Sequence, residues 1–552
     1  MGFLATTKDE LKGREADIII ITGDAYIDHP SFGAAIIGRV LEKAGYNVGI
    51  LSMPDWRNPE SITALGRPRL FFGVTSGNVD SMLSLYTAFK KRRSDDPYVP
   101  GGVSGRKPEH ALINYCNLIK AKFKDVPVVI GGIEASMRRL IHYDFWDNRL
   151  RRSIIEDSRA DILAYGMAET AVVEIADRLA ANKPIKGIPG TLVIERTPPE
   201  NAVPLPSEEE AMDNPDAFLK TYRLFYENQD RMLTQQTGSR FLVYYPQLSI
   251  SQGQIDAVYS MPFMYAPHPS YKEPIPAFDM IFGSINAHRG CVSGCSFCSV
   301  GLHQGKKIIS RSPESVLDEA HRLAGNPLFR KHVKDIGGPS ANMYGYSCKS
   351  KWRCSRISCI HPDLCRNLEI NTMPWIKLLG DAARIKGVSM VTVGSGIRYD
   401  LLMSDKDSLP ALRALIKSHI SGQLKIAPEH TVGHVLKAMR KTPVFDLKEF
   451  AGLFINETGK IQKKQYLLPY LMSCHPGCSI NDMLAMKKDI QGVFGFMPKQ
   501  VQAFIPLPMT LSSVIYFTGV DPLSGDRFHV DRNTEERRAQ HDIIVKKVFL
   551  KK

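Results

Sequence analysis

Three closely spaced cysteines are the residues of this chain best suited to carry chemistry. Cys291, Cys295 and Cys298 follow the pattern C-x3-C-x2-C in the stretch SINAHRGCVSGCSFCSVG. Three thiolates on one loop can hold three irons of a four-iron cluster, which leaves the fourth iron open for a substrate group. Two other interpretations stay open. The cysteines could be part of a zinc site, which normally has four ligands, or they could be buried thiols.

The cysteine loop resembles that of the radical S-adenosylmethionine (SAM) enzymes, and the aromatic Phe297 before the last cysteine fits this resemblance. The resemblance implies that Cys291, Cys295 and Cys298 hold a [4Fe-4S] cluster and form the catalytic centre. It also implies that SAM binds the open iron and that Phe297 packs beside its adenine. One electron would then cleave SAM to a 5′-deoxyadenosyl radical, which takes a hydrogen atom from the substrate.

A second group of cysteines follows in an insertion that spans residues 344–370. Its spacing is C-x5-C-x4-C-x5-C, and its members are Cys348, Cys354, Cys359 and Cys365. Basic neighbours favour the thiolate form that binds metal, and five of them lie in this segment: Lys349, Lys351, Arg353, Arg356 and Arg366. A second iron–sulfur cluster and a structural zinc both fit, and the alternative is a basic loop with free thiols. Trp352 and its basic surroundings would also suit contact with RNA.

Composition sets broad limits on the class of protein. The chain has 552 residues and ten cysteines, seven of which lie between Cys291 and Cys365, as expected for metal ligands rather than disulfides. We find no apolar stretch near the ~20 residues of a membrane helix and no signal peptide, so we expect a cytoplasmic protein without a membrane partner. The net charge of +14 would attract RNA, although it serves solubility equally well.

Residues 1–195 alternate apolar strand and helix patterns, which predicts a doubly wound parallel sheet with helices on both faces. The runs VVIGGIEAS and ADILAYGMAE resemble the cobalamin-binding-like, Rossmann-type domain that precedes many radical SAM cores. The usual cobalamin histidine lies two residues after an aspartate, whereas Asp28 and His29 are adjacent here, so we do not expect cobalamin. The segment IHYDFWDNRLRRS could line a substrate cleft, stack on nucleotides or form an interdomain interface.

The remainder of the chain divides into three further segments. Residues 196–278 mix prolines, acidic residues and aromatics, and we interpret them as a linking or bridging segment. Residues 279–523 contain six strand–helix units, the first strand being the apolar run Met280 to Ile285, and residues 524–552 form a basic tail. The six units resemble the partial (β/α)6 barrel of radical SAM enzymes, in which the site lies at the carboxyl ends of the strands.

Candidate SAM contacts follow these strands and share polar or glycine character: Gly337, Gly338, Ser340, Ser395, Arg398 and Glu429. In the family a Gly-Gly-Glu sequence holds the SAM amino group. Pro339 replaces the acidic residue here, so that contact would come from the backbone or from Ser340. Ser395 and Arg398 stand where relatives contact the methionyl carboxylate or ribose. Glu429 is a candidate ribose ligand, because a carboxylate accepts well from sugar hydroxyls.

Motifs over most of the chain resemble the YgiQ-type radical SAM proteins, including KIAPEHTVGHVLKAMRKT, LPYLMSCHPGCS and VQAFIPLPMTLSSVIYFTG. This resemblance implies a radical SAM enzyme that depends on a [4Fe-4S] cluster, SAM and a flavodoxin-like one-electron reductant, and that modifies an unknown substrate, RNA among the candidates. Two alternatives stay open: a cobalamin-linked enzyme that acts on a small molecule, and a non-catalytic, metal-bearing protein that binds RNA.

Overall fold

A computed structural model describes residues 2–350, 354–441, 443–498 and 501–545. Trp352, Lys351 and Arg353 of the cysteine-rich insertion therefore lie outside the described residues, as do the last residues of the tail. The chain divides into two compact units. The first comprises Met1–Ile250 and Ala257–Phe282, and the second comprises Ser251–Asp256 and Gly283–Lys552.

The first unit is built on one nine-stranded sheet. Five strands run parallel in the spatial order Val48–Ser52, Ile18–Thr22, Phe71–Thr75, Val128–Gly131 and Ile162–Ala164. Ile18–Thr22 is buried along its whole length and is mostly isoleucine, as expected for a central strand covered on both faces. The direction of strand succession reverses between this strand and Phe71–Thr75, and that reversal is where sheets of this type bind ligands.

Helices cover this sheet in two groups. Gly33–Lys43 packs against Glu169–Ala180, and Ala111–Lys122 packs against Ile154–Ser158. The apolar and polar residues of Gly33–Lys43 separate onto two faces, and its buried face includes Ile36, Val40 and Leu41. Shorter helices of the unit are Ser81–Leu85, Gly132–Met137, Gln252–Tyr259 (shared between the two units) and Pro276–Ile281.

The segment 196–278, which we interpreted as a linking or bridging segment, extends the sheet. It contributes the strands Val203–Leu205, Leu233–Thr237 and Arg240–Tyr244, which continue the sheet beyond Thr191–Glu195, and the helices Glu208–Asp213 and Pro215–Glu227. Leu233–Thr237 reads LTQQT and is polar although mostly buried, so the usual apolar alternation of a strand is missing. Pro215 stands in the first turn of its helix, where proline is tolerated rather than disruptive.

The second unit contains parallel strands that pair in chain order. Ser284–Asn286 pairs with Asp335–Gly337, and His332–Val333 pairs with Met390–Val391. Gln423–Glu429, Tyr466–Ser473 and Gln502–Ala503 continue the series. The helices between them are Pro313–Ala324, Met373–Ala383, Tyr399–Met403, Ser408–Ala414, Gly433–Ala438, Leu447–Lys460 and Ile480–Phe494. The carboxyl ends of the strands carry the candidate site residues.

Two predicted elements differ from the structure, and one helix has an irregular end. The strand predicted for Met280 to Ile285 begins only at Ser284, because Pro276–Ile281 is a helix with proline in its first turn. The helix Ser408–Ala414 ends in a wider π-helical turn, Leu415–His419. The predicted tail contains the helix Thr534–Val545, which buries residues against the strand Tyr466–Ser473. No helix among the described residues is long and apolar enough to cross a membrane.

Candidate metal and SAM site

The loop that carries the three cysteines is folded tightly around two glycines. It begins after the strand His288–Arg289, and Gly290 and Gly294 have φ angles of 87° and 60°. A Cβ atom at Gly290 would overlap the Lys307 carbonyl oxygen, and one at Gly294 would lie 2.7 Å from the Ile357 oxygen. Glycine is therefore required at both positions, since other residues are strained at positive φ and lack the space.

The three thiols lie close enough to affect one another's protonation. Burial raises the pKa of Cys298 to about 12, and the neighbouring Cys295 and Cys291 add to that shift. Burial also raises the pKa of Cys295, while the cations of Lys441 and Arg398 oppose the shift. Thiols in such a place are deprotonated when a metal supplies positive charge, so the loop is chemically suited to a metal and poorly suited to free thiolates.

Neighbouring elements fix the middle of the loop. The Ser296 N–H donates to the Met439 oxygen at 3.0 Å, and its hydroxyl donates to the Ala438 oxygen at 2.8 Å. Phe297 meets the His475 ring edge to face, with 6.0 Å between ring centres. The residues between the second and third cysteines are thereby held in place without the thiols themselves being used.

Arg398 ties a neighbouring strand end to the cysteine loop. Its guanidinium donates two hydrogen bonds to Asp400, at 2.8 and 2.5 Å, and a third to the Ser293 hydroxyl at 2.9 Å. Arg398 and Asp400 are both buried, and the pair holds the pKa of the Asp400 carboxyl below its ordinary value against the effect of burial. A contact between Arg398 and SAM stays a prediction, and its bond to Ser293 gives this residue a second role in holding the loop.

The glycine pair that ends Asp335–Gly337 lies directly against a buried histidine. A Cβ at Gly338 would lie 2.6 Å from Nε2 of His288, and a Cβ at Gly337 would lie 2.9 Å from Cα of Ala341. Neither ring nitrogen of His288 has a hydrogen-bond partner among the described residues, and burial lowers the pKa of this imidazole to about 4. A bound polar ligand would satisfy it. Sequence reasoning missed His288, although it lies only three positions before Cys291.

Two serine hydroxyls lie near the glycine pair. Ser395 Oγ is buried 3.3 Å from the Cβ position of Gly337 and makes no hydrogen bond of ordinary geometry with the described residues. The Asp335 carboxylate lies beside it and accepts the Ser395 N–H at 3.2 Å. Ser340 precedes a short 3-10 turn, and its side chain makes no capping bond there. A contact of either serine with SAM stays a prediction.

Glu429 ends the strand Gln423–Glu429 in an unusual backbone conformation. Its φ angle is 63°, which is costly for a residue other than glycine and typical of functional sites. Its carboxylate accepts a hydrogen bond from Nζ of Lys441 at 2.8 Å, and this ammonium lies 5.9 Å from the centre of the Phe297 ring. Lys441 is a second residue that sequence reasoning missed, because a lysine after a helix is ordinarily exposed.

The second cysteine group forms part of the same unit. Cys348 and Cys354 are exposed, whereas Cys359 and Cys365 are half-buried, and all four are free thiols. The strand Ser347–Cys348 pairs with Leu368–Glu369.

In the first unit, the aromatic and charged segment predicted as a cleft or interface is a hairpin of His142–Asp144 and Arg149–Arg151. Ligand atoms of His110, Asp144 and Asp147 lie within 4.8 Å of one another. Arg151 forms an ion pair with Asp147 and lies 3.7 Å from Asp144. Because this guanidinium already compensates both carboxylates, we interpret the group as an ion-pair network that holds the hairpin.

Comparison with known proteins decides the family. Residues 3–284 match the Radical SAM N-terminal family. A UPF0313 protein of Clostridium botulinum is 43% identical over 99% of this chain and 88% of its own length. A second UPF0313 protein, from Geobacter sulfurreducens, is 43% identical over 99% of this chain and 92% of its own length. The chain belongs to the UPF0313, or YgiQ-type, family of radical SAM proteins. Membership implies an enzyme with a [4Fe-4S] cluster and SAM, and the family prediction is confirmed.

A solved structure supports the fold of this UPF0313 protein. The radical SAM methyltransferase TsrM of Kitasatospora setae, solved with tryptophan and a SAM analogue, aligns with a TM-score of 0.50 and 13% identity, covering 90% of this chain and 75% of TsrM. Identity this low indicates shared fold alone. The predicted fold class, a parallel sheet followed by a radical SAM barrel, is confirmed.

Another TsrM structure holds cobalamin as well as a [4Fe-4S] cluster, so the fit of cobalamin to this chain needs a test. Nδ1 of the buried His29 accepts the Ser31 N–H at 3.1 Å, which leaves the ring proton on Nε2 and no lone pair there for cobalt. Asp28 is paired with Arg39 rather than with the histidine. His29 therefore does not fit a cobalt ligand in this structure.

Proposed function

We propose that this UPF0313 protein is a radical SAM enzyme whose cluster is held by Cys291, Cys295 and Cys298. The observation that carries the proposal is that the cysteine loop, whose thiols are half-buried, lies against the strand-end glycines, since His288, three residues before Cys291, contacts Gly338. A cluster on these thiols and a SAM molecule bound at Gly337 and Gly338 would then be neighbours. When bound, the cluster supplies the electron that cleaves SAM to a 5′-deoxyadenosyl radical.

The residues of the chain bind and orient SAM in this proposal. Gly337 and Gly338 let the ligand approach the backbone, as their lack of side chains permits. The Ser395 hydroxyl, the His288 imidazole, whose nitrogens have no partner among the described residues, and Ser340 would bind the amino and carboxylate groups of SAM. Buried polar groups gain most when a ligand completes their hydrogen bonds.

The adenosine end of SAM would meet a different set of residues. Phe297 offers an aromatic face or edge to the adenine, and its ring is oriented by His475. Glu429 has a lone pair free for a ribose hydroxyl even while it accepts from Lys441, because a carboxylate accepts several hydrogen bonds. Arg398 acts as a positioning residue that keeps the loop at the site.

The proposal is tested by anaerobic reconstitution with iron and sulfide, followed by SAM and dithionite. We expect 5′-deoxyadenosine from the wild-type protein and none from Cys295→Ala, which loses one of three cluster ligands. Cys116→Ala is the matched control, because Cys116 is buried in the other unit and lies on the helix Ala111–Lys122. Cleavage by Cys295→Ala at the wild-type rate would refute the assignment.

RNA is the substrate class that we propose to test first, and a flavodoxin-like protein is the reductant. The support for RNA is the net charge of +14, which favours polyanions. We expect RNA to stimulate formation of 5′-deoxyadenosine and its effect to weaken as salt is raised. Equal rates with and without RNA, at low and high salt, would remove RNA from consideration.

A further inference from the structure

The cysteine-rich insertion is closed on itself so that its four thiols lie in one region. The pairing of Ser347–Cys348 with Leu368–Glu369 joins its two ends, and the Lys349 N–H donates to the Asn367 oxygen at 2.8 Å. The Cys365 N–H donates to the Cys359 oxygen at 2.7 Å. The first, third and fourth cysteines are therefore near one another although the chain between them is long.

Two cationic side chains hold the remaining part of the insertion. Nζ of Lys306 donates to the Cys354 oxygen at 3.0 Å and to the Arg356 oxygen at 2.6 Å. The Arg356 guanidinium in turn donates to the Asp363 oxygen at 2.6 Å and to the His361 oxygen at 3.2 Å. These bonds join cationic donors to backbone carbonyl groups, so they hold the described part of the insertion and leave its thiol sulfurs out of the bonding.

The four thiols also affect one another electrostatically. The Cys359 thiol lies close enough to those of Cys365, Cys354 and Cys348 for each of them to act on it through its charge. Four thiolates in one region would repel one another, and Lys306 is the cation that acts on Cys359 among them. A bound metal centre removes that repulsion, and four thiolates are the usual ligand set of an iron–sulfur cluster.

The insertion lies directly on the first cysteine loop. The Cys359 N–H donates to the Val292 oxygen at 2.9 Å, and the Ser358 hydroxyl donates to the Ser293 oxygen. Cys291 and Cys359 pack against the same apolar cluster, whose buried members are Val292, Met343, Tyr346, Ile360 and Leu401. One hydrogen bond thus connects a residue of the second group to the chain neighbour of Cys291.

We propose that Cys348, Cys354, Cys359 and Cys365 hold a second iron–sulfur cluster that passes electrons to the cluster on the first loop. The electron-transfer part rests on the proposed function, whereas the metal site does not. Ligation releases the four thiol protons to solvent. A low-potential one-electron donor reduces the second cluster, and the electron then moves to the first cluster while the second returns to its oxidised state. The exposed Cys348 and Cys354 place the outer edge of this cluster at the surface, where a donor can approach.

The test uses the double variant Cys348→Ser/Cys354→Ser, because exposed positions tolerate serine with little cost to folding. Ser355→Ala, an exposed neighbour in the same insertion, is the matched control. After anaerobic reconstitution we expect about eight irons per chain in the wild type and the control and about four in the double variant. We also expect a flavodoxin to reduce the first cluster of the double variant at least tenfold more slowly than that of the control.

Further variants and metals separate the possible failures. Cys295→Ala/Cys298→Ala should keep about four irons, those of the second cluster. If the wild type holds about four irons and this variant holds none, the second cluster is absent while the first stands. Zinc on the insertion in place of iron would overturn the iron–sulfur assignment. A wild-type count of about eight with unchanged reduction of the first cluster in the double variant would overturn the electron transfer.

Discussion

Replacing Gly338 by alanine tests whether SAM binds at the glycine pair Gly337 and Gly338. The new Cβ would lie 2.6 Å from Nε2 of His288 and 2.7 Å from its backbone oxygen. Ordinary contact begins near 3.4 Å, so the strand end and His288 must move apart by about 0.8 Å. Rotation of the imidazole relieves only the first contact, because the second involves the backbone.

Overpacking of this kind costs about 1–3 kcal/mol. If the displaced groups bind SAM, the loss appears as a dissociation constant about 5- to 150-fold weaker, because 1.4 kcal/mol corresponds to a tenfold change. The iron content should not change, since the three cysteines are untouched. The measurement is SAM binding to the reconstituted protein by calorimetry, together with iron analysis and urea unfolding of the same sample.

Gly396→Ala is the matched control. Its Cβ would find its nearest neighbour, the Lys425 oxygen, at 3.9 Å, which is an ordinary contact. This glycine also follows a strand in the same unit. The SAM affinity and the stability of the Gly396→Ala variant should stay near those of the wild type. The reasoning is refuted if Gly338→Ala binds SAM as tightly as Gly396→Ala. It is also refuted if the loss of affinity comes with a loss of the cluster.

Two further predictions concern buried charge and buried histidine. Arg398→Met should lower the free energy of unfolding by about 3–5 kcal/mol, because it leaves Asp400 buried and unpaired. The double variant Arg398→Met/Asp400→Leu should recover most of this free energy. Equal urea midpoints for the single and double variants would contradict the prediction. The folded-state pKa of His288 is about 4, below the ordinary value of about 6.5, so the unfolded chain binds this proton more tightly and stability is lost as pH falls from about 6.5 towards 4. The loss is about 2 kcal/mol near pH 5, and His288→Phe should show a correspondingly flatter change of unfolding free energy between pH 7 and 5.

Local sequence signals were sufficient for the regular elements and the cysteine loop. The isoleucines of Ile18–Thr22 and the amphipathic pattern of Gly33–Lys43 identify a central strand and its covering helix without knowledge of their partners. The spacing of the three cysteines is itself local. What failed depends on contacts between distant segments: the polar strand Leu233–Thr237 lies between its hairpin partner Arg240–Tyr244 and the strand Val203–Leu205, which comes much earlier in the chain.

The same distinction applies within the site. Gly338 and His288 are fifty positions apart, and no pattern in either segment indicates that one packs on the other. Glu429 could be selected as a ribose ligand from its place after a strand, but its pairing with Lys441 depends on how the following helix returns to the strand end. Sequence reasoning finds residues that carry chemistry by type and spacing, whereas it misses those that become functional only through burial.

The pairing of Glu429 with Lys441 has a consequence for the reduction of the cluster. Both side chains are nearly buried, and both charges reach the thiol of Cys295, whose pKa Lys441 lowers and Glu429 raises. In the intact pair the carboxylate of Glu429 offsets part of the effect of Lys441. Removal of the carboxylate by Glu429→Gln leaves a buried ammonium, which stabilises the added electron and raises the reduction potential of the cluster.

Removal of the ammonium by Lys441→Met has the opposite effect, because the remaining carboxylate disfavours the added electron. The potential of the double variant Glu429→Gln/Lys441→Met should lie between those of the two single variants, since both charges are removed. Redox titration of the first cluster, followed by electron paramagnetic resonance, measures all three shifts. A purely structural role for the pair would move both single variants in the same direction, so shifts of equal sign would refute the electrostatic account.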